Sequence, residues 1–202
     1  MNQQEIEVKY YIADLENLES KLLAAGAELI EPKVMEINLR FDTPDEALSR
    51  RFQVLRLRRD WENRLTFKGP MTTEGGVRLR QEIEFTVSDF EAAGDLLEAL
   101  GFVVAMRYEK QRTTYRVLGA LVSLDIMPYG TFCEIEGPDV DALNRISVLL
   151  GLDWEAAIPE SYTTLFQKLR ERLGLEFRDL SFENFAGIEI TPADLQVRPA
   201  DI

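Results

Sequence analysis

Residues 5–11 read EIEVKYY, and the fold is predicted outward from this stretch. Glu5, Glu7 and Lys9 alternate with apolar residues. In a β-strand, side chains two positions apart point to the same face of the sheet. The stretch therefore predicts a strand with one charged face and one apolar face.

The same alternation returns in several later segments of the chain. The charged pairs are Arg56 and Arg58, Glu82 and Glu84, Lys110 and Arg112, and Glu134 and Glu136, with Lys68 and Asp125 as single members of neighbouring strands. For any one segment, an ordinary strand with its charges in solvent is a sufficient explanation. The repetition, with both signs mixed, instead favours a closed sheet whose charges line the inside, because such charges must be paired or bind ligands.

The remaining sequence alternates such strands with a few amphipathic helices. We predict strands at 5–11, 34–42, 52–60, 64–69, 77–87, 102–108, 109–118, 121–127 and 132–136, and helices at 14–25, 88–100, 139–150 and 161–173. Many antiparallel strands with helices between them favour an α+β domain or a barrel over a doubly wound parallel sheet. The tail from residue 176 is apolar enough to pack on the domain.

Composition excludes several classes of function. The chain has 202 residues and a formal net charge of -13, which disfavours binding to a nucleic acid backbone. It has no histidine, so histidine-based triads and histidine-ligated zinc are excluded. Carboxylate oxygens are abundant, and they prefer hard cations such as Mg²⁺, Mn²⁺ or Ca²⁺.

The expected environment of the protein follows from what the chain does not contain. No apolar run approaches the roughly 20 residues that a membrane span needs, and no secretory signal is apparent. Cys133 is the only cysteine, so no internal disulfide forms. We therefore expect a cytoplasmic protein with no membrane partner. Cys133 is interpreted as a buried thiol, Ser161 as a helix N-cap, and Trp61, Trp154 and Tyr162 as packing residues.

The opening EIEVK resembles the ExExK signature of CYTH-domain proteins, also called triphosphate tunnel metalloenzymes. The likeness covers roughly residues 1–170, in the expected order. It continues through LRLR at 55–58, TFKG at 66–69, EIEF at 82–85, YEKQRTTY at 108–115, LDIMPYG at 124–130 and FCEIEG at 132–137. The resemblance implies a closed, eight-stranded antiparallel β-barrel over residues 1–175, with helices packed outside and a C-terminal extension at 176–202.

The resemblance also implies roles for the charged residues. Glu5, Glu7 and Lys9 are the expected catalytic residues. Candidate ligands of Mg²⁺ or Mn²⁺ are Glu5, Glu7, Glu82, Glu84, Asp125, Glu134 and Glu136. Candidate phosphate contacts are Lys9, Arg56, Arg58, Lys68, Arg80, Lys110 and Arg112. For Arg40 and Arg80, which have a suitable phase, a surface position or a lid contact stays open.

Three functions remain open at this point. The first is metal-dependent hydrolysis of tripolyphosphate, thiamine triphosphate or a nucleoside triphosphate by activated water. The second is a class IV adenylate cyclase, in which the ribose 3′-hydroxyl attacks; YEKQRTTY resembles cyclase members, whereas the ExE at 82–84 is more similar to the triphosphatase branch. The third is a non-catalytic binder of polyphosphate or nucleotides. A homodimer is among the assemblies left open.

Overall fold

The computed structural model describes residues 6–74 and 77–201, with backbone alone for residues 71–74 and 77–80. The strands are β1 (Ile6–Tyr11), β2 (Glu28–Asp42), β3 (Val54–Arg59), β4 (Asn63–Glu74), β5 (Val77–Val87), β6 (Val103–Val117), β7 (Ala120–Met127) and β8 (Gly130–Gly137). The helices are α1 (Leu15–Ala24), α2 (Ala47–Arg50), α3 (Phe90–Ala99), α4 (Val140–Leu150) and α5 (Tyr162–Leu173), with a 3₁₀ turn at Trp154–Ala156.

The eight strands form one sheet in the order β1-β8-β7-β6-β2-β3-β4-β5. This arrangement confirms the predicted α+β fold of eight antiparallel strands with helices. In the part of the chain that the structure describes, β1 and β5 end the hydrogen-bonded order. The predicted closure of the sheet is therefore not made by backbone hydrogen bonds there.

Main chain from later in the sequence occupies the outer edge of β1. The amide of Ile158 donates to the carbonyl of Lys9 over 2.8 Å, and the amide of Ala200 donates to the carbonyl of Tyr11 over 3.0 Å. Tyr11 also forms a parallel bridge with Pro199. These bonds use carbonyls that a further strand would need, which explains why β1 ends the sheet.

The chain divides into two compact units, one formed by residues 35–109 and a larger one formed by residues 6–34 and 110–201. In the larger unit, apolar side chains of β1, β6, β7 and β8 pack against α1 and α4. Its buried core includes Val8, Tyr10, Leu18, Leu22, Tyr115, Val122, Leu124, Cys133, Ile135, Leu143, Ile146 and Leu150. The burial of Cys133 agrees with its interpretation as an inert thiol.

The smaller unit has its own apolar core on one side of its strands. Phe41 of β2 and Leu57 of β3 pack against Phe90 and Leu97 of α3. The cross-strand register puts Leu39, Leu57 and Leu65 on this same face. The charged residues between them consequently lie on the opposite face.

Helix α5 lies on the other side of the larger unit. Phe132 of β8 is two positions from Glu134 and so shares its face, and its ring meets that of Tyr162 at 5.1 Å in an edge-on arrangement. Phe166 of α5 packs near Phe185 of the C-terminal segment. Through these aromatic contacts α5 reaches the charged face that α1 and α4 leave uncovered.

Helix starts follow the predicted capping pattern, whereas two strand limits differ from the prediction. Asp89 accepts a hydrogen bond from the amide of Ala92, and Ser161 accepts one from the amide of Thr164, so both are N-caps. Segments 102–108 and 109–118, predicted as two strands, form the single strand β6. Strand β2 begins at Glu28, six residues before the predicted start.

Helices that could span a membrane are absent from residues 6–74 and 77–201. The division at residue 175 between domain and extension stays a prediction.

Candidate functional site

In the larger unit, a face of charged side chains lies opposite to the face that packs on α1 and α4. The register pairs Lys9 with Glu134, and Glu7 with Glu136, between β1 and β8. It also pairs Arg112 with Asp125 between β6 and β7. Paired residues point to the same side of a sheet, so the charged face predicted from the alternation is present in this unit.

Lys9 is held from three sides. Its Nζ lies 3.2 Å from Glu134 Oε1 and donates to the carbonyl of Glu160 over 3.1 Å. The same ammonium stands 4.2 Å from the centre of the Tyr162 ring, a cation–π distance. The segment that leads into α5 thus fixes the position of a lysine on β1.

Asp125 is the most buried acid of this face and the centre of its hydrogen bonds. Arg112 donates to both carboxylate oxygens, over 2.7 and 2.6 Å. Lys110 Nζ lies 3.3 Å away, and the Tyr162 hydroxyl donates over 2.8 Å. Arg112 also donates to Glu134, so one guanidinium links the two carboxylates.

The charge of Glu134 is stabilised by its surroundings. Burial by itself would raise the pKa of Glu134. The positive charges of Lys9, Arg112 and Lys110 outweigh that effect and hold the pKa well below its usual range. Glu134 is therefore an ionised carboxylate within a set of cations.

Glu7 and Glu136 form a pair of like charges. They are direct partners in the β1–β8 ladder. Acids placed opposite each other repel, so this pair is favourable only where positive charge is nearby. Glu5, predicted as a third acid of this strand, lies outside the described residues.

The smaller unit carries a second charged cluster on β2, β3, β4 and β5. Arg56 lies opposite Thr66, and Thr66 lies opposite Glu84. Arg56 Nη2 is 3.7 Å from Glu84 Oε2, and Arg56 Nη1 donates weakly to the Tyr108 hydroxyl over 3.4 Å. Thr66 donates to Glu84 over 2.7 Å.

Arg58 occupies the next position on this face. Its guanidinium lies 3.1 Å from Asp60, 3.8 Å from Glu84 and 4.0 Å from Glu36. Burial by itself would raise the pKa of Glu84, but the hydrogen bond from Thr66 and the charges of Arg58 and Arg56 lower it. Two arginines and a hydrogen-bonded carboxylate thus share one patch.

Three further predicted residues belong to the smaller unit. Lys68 pairs with Glu82 over 2.8 Å. Arg40 lies opposite Arg56, and its burial together with that neighbouring charge contributes to lowering the pKa of Arg40. Arg80 lies on β5, but its side chain is outside the described part of the structure.

The sequence profile of the family described as "CYTH domain" matches residues 3–144. The chain belongs to the CYTH domain family. The matched span contains every predicted site residue in both charged clusters of this CYTH protein. Tyr162 and α5, which contact Lys9 and Asp125, lie beyond it.

Known proteins resemble this CYTH chain over most of its length. A Methanocaldococcus jannaschii protein named "Putative adenylate cyclase" is 28% identical over 147 residues, which are 72% of this chain and 83% of that protein. A solved Vibrio parahaemolyticus structure with the same designation has a TM-score of 0.71 at 20% identity, covering 83% of this chain and 99% of the other. A Hippeastrum protein described with a dominant triphosphatase activity has a TM-score of 0.59 at 20% identity, covering 82% and 95%. These two structural likenesses show the fold.

The CYTH chain contains site residues that the charge pattern did not reveal. Glu36 and Asn38 are buried on β2 beside Arg58, and Thr66 and Tyr108 contact Arg56. Glu36, Asn38 and Arg40 do share one strand phase, which was the available signal for the first two. Tyr162 had been interpreted as a packing residue, but it also bonds Asp125.

The donor chemistry of the CYTH protein fits a hard divalent cation, because its charged faces carry carboxylate oxygens. In residues 6–74 and 77–201, no three acidic, cysteine or histidine side chains come together at metal-ligand spacing. Asp125 and Glu134 instead hold Arg112 between them. A cation at these two acids would have to replace Arg112, whereas the Glu7 and Glu136 pair gains directly from added positive charge.

Proposed function

We propose that this CYTH protein hydrolyses a phosphoanhydride bond of a triphosphate-bearing small molecule, with Mg²⁺ or Mn²⁺. The observation that carries the proposal is the network in the larger unit, where Asp125 and Glu134 face three cations, Lys9, Lys110 and Arg112. Excess positive charge in a largely buried place is costly unless an anion joins it. Phosphate oxygens are well suited to such lysine and arginine groups.

The cations have different tasks in this proposal. Lys9 and Lys110 act as compact charges on phosphate oxygens, held in place by the Tyr162 ring. Arg112 offers a planar fork for two oxygens. In the smaller unit, Arg56 and Arg58 offer further forks and Lys68 a further point charge. These groups bind and orient phosphates and stabilise charge that develops in the transition state.

The acids hold the cations of the site. Glu7 and Glu136 are the strongest candidates for metal ligands, with Glu5 outside the described residues; Glu82, Glu84, Asp125 and Glu134 complete the proposed set. A bound Mg²⁺ or Mn²⁺ supplies polarisation of phosphate oxygens and acidification of water. In its absence the acids orient the basic side chains, as Asp125 does for Arg112.

Water is the proposed nucleophile, because protein nucleophiles are lacking. The sequence has no histidine and a single cysteine. Burial raises the pKa of the Cys133 thiol, and the side chain lies on the apolar face. A thiolate attack is therefore disfavoured.

Adenylate cyclase activity is the second candidate, favoured by the name of the Methanocaldococcus relative at 28% identity. The same cations would then orient ATP for attack by its ribose hydroxyl, with pyrophosphate as the leaving group. The activity described for the Hippeastrum protein indicates that one fold accommodates triphosphatase chemistry in a protein named as a cyclase. Binding without catalysis is the remaining alternative, and the abundance of acids among the cations argues against it.

One assay separates these functions. Purified protein with Mg²⁺ or Mn²⁺ is given tripolyphosphate, thiamine triphosphate and ATP, and orthophosphate, pyrophosphate and cyclic AMP are quantified. We expect orthophosphate release, reduced about 100-fold or more in kcat for Lys9→Met. The exposed Lys33→Met is the matched control and keeps wild-type rates. Cyclic AMP with pyrophosphate as the main products would establish the cyclase, and binding without any product would establish the silent binder.

A further inference from the structure

Asn38 carries a polar atom that the surrounding chain does not satisfy. It lies on β2 directly opposite Arg58, within the charged cluster of the smaller unit, and its exposed fraction is 0%. Its Nδ2 donates to Glu36 Oε1 over 2.8 Å. From the described residues, no donor reaches its Oδ1. A buried amide oxygen without a donor is unfavourable, so its retention calls for a partner.

The orientation of this amide follows from its neighbour. An ionised Glu36 only accepts hydrogen bonds, so the NH₂ group of Asn38 must face it. Rotating the amide would place two oxygens against each other. The Oδ1 atom is therefore committed to a donor other than Glu36.

Two buried donors lie beside this acceptor. Arg56 Nε and Arg58 Nε have no hydrogen-bond acceptor among the residues that the structure describes. Arg58 Nε is 3.1 Å from Asp60, but its N–H is not aimed at that carboxylate. The patch thus presents two donors, which suit phosphate, and one acceptor, which does not.

An inorganic tripolyphosphate at neutral pH offers oxygens and essentially no donors. It satisfies the arginines and leaves Asn38 Oδ1 unpaired. A hydroxyl or amino group on an organic triphosphate satisfies Asn38 while the phosphates meet the arginines.

We infer that Asn38 accepts a hydrogen bond from the organic part of the substrate, which makes the substrate an organic triphosphate that bears a hydroxyl or amino donor. The inference rests on the proposed function, since it names the substrate of that activity. It makes Asn38 a specificity-determining residue, because a buried polar group left unpaired discriminates against a ligand that lacks its partner.

The first test changes the protein. The value of kcat/KM is measured for tripolyphosphate, ATP and thiamine triphosphate with the wild type, Asn38→Ala and Asn38→Leu. We expect the ratio of the better organic substrate to tripolyphosphate to fall about 10- to 100-fold in both variants. Asn63→Ala is the matched control, because Asn63 lies on the opposite face of β4, and it keeps the wild-type ratio. A ratio within one variant is insensitive to the fraction of folded protein.

The second test changes the ligand. If ATP is the better substrate, inosine triphosphate, 2′-deoxy-ATP and 3′-deoxy-ATP each remove one donor or exchange it. For thiamine triphosphate, the analogue without its amino group serves. We expect the wild type to discriminate against one analogue by about 10-fold or more and the Asn38 variants to lose that discrimination.

Three results overturn the inference while tripolyphosphate hydrolysis is intact. One is an equal decrease for inorganic and organic substrates in the Asn38 variants, which indicates an ordered water or a purely structural role. Another is a wild type that hydrolyses tripolyphosphate and neither organic compound. The third is a discrimination between analogues that persists without Asn38. Failure of the wild type on every triphosphate refutes the proposed function itself and is thereby distinguishable.

Discussion

Lys9 and Glu134 stand directly opposite each other on β1 and β8, and the lysine Nζ lies 3.2 Å from the glutamate Oε1. Both side chains are largely buried. Taking two charges out of water is costly, and their attraction offsets that cost only while both are present. Removal of one partner is therefore expected to be worse for folding than removal of both.

Lys9→Met should lower the free energy of unfolding by about 3 kcal/mol, since it leaves the Glu134 charge less compensated. The double variant Lys9→Met/Glu134→Gln should recover most of this loss and still bind tripolyphosphate weakly. Urea denaturation and calorimetric titration measure the two quantities. A double variant that is as unstable as the sum of the single ones would contradict the coupling.

Glu7→Gln and Glu136→Gln should each weaken Mn²⁺ binding at least about 10-fold, because each removes one charge from the acidic cross-strand pair. The binding is measured by electron paramagnetic resonance of free Mn²⁺ or by calorimetry. Glu98→Gln, an exposed change on α3, is the matched control. Wild-type Mn²⁺ affinity in both variants would remove this pair from the proposed ligand set.

Asp42 gives a pH-dependent contribution to stability outside the charged clusters. Its carboxylate accepts hydrogen bonds from the amides of Thr43, Leu48 and Ser49 and from the Ser49 hydroxyl. Burial by itself would raise the pKa of Asp42, but these bonds lower it below its ordinary value of 3.8. The stabilisation is complete above the unfolded-state pKa and is lost as the pH falls through the lower folded-state pKa.

Asp42→Asn should therefore cost about 2 kcal/mol of unfolding free energy at pH 7, and the difference should shrink only below about pH 4. Chemical denaturation at a series of pH values, down to the lowest at which both proteins fold, measures it. Asp95→Asn on the exposed side of α3 is the control. A difference that stays constant across the acidic range would show that the carboxylate charge is not responsible.

Tyr162→Phe should destabilise the protein by about 1–2 kcal/mol, because the fully buried Asp125 loses a donor that water cannot replace. Tyr115→Phe is a matched change, since the Tyr115 hydroxyl bonds Glu19, which is half-buried and reaches solvent. Its cost in urea denaturation should be smaller. Equal costs for the two variants would mean that the bond to Asp125 has no special importance.

The charge alternation predicted much of this architecture because its cause is local. Successive side chains in a strand alternate, so Arg56 and Arg58, or Glu134 and Glu136, had to share a face wherever those strands lay. The structure bears this out in each unit. The chemical roles of these residues stay predictions.

Other features depend on neighbours that one segment does not reveal. An uncharged polar residue such as Asn38 reads the same on a solvated strand and on a buried one, until the register places it beside Arg58. Tyr162 meets Asp125 through the packing of α5, which no periodicity predicts. The two strands predicted at 102–108 and 109–118 were wrong, because Arg107 to Lys110 are charged on both phases yet extend without a break in β6.

The edge of β1 has a consequence for biosynthesis. Its ladder partners are residues 132–137, and the bonds that cover its outer edge come from Ile158 and Ala200. At roughly 5–20 residues per second, translation from Tyr11 to Ala200 takes about 10–40 s. During that time the apolar side chains of Ile6, Val8 and Tyr10 have no sheet to join, whereas residues 35–109 are already available to fold as a continuous segment. The nascent strand is consequently a chaperone substrate, and its capture is the last step in the maturation of the chain.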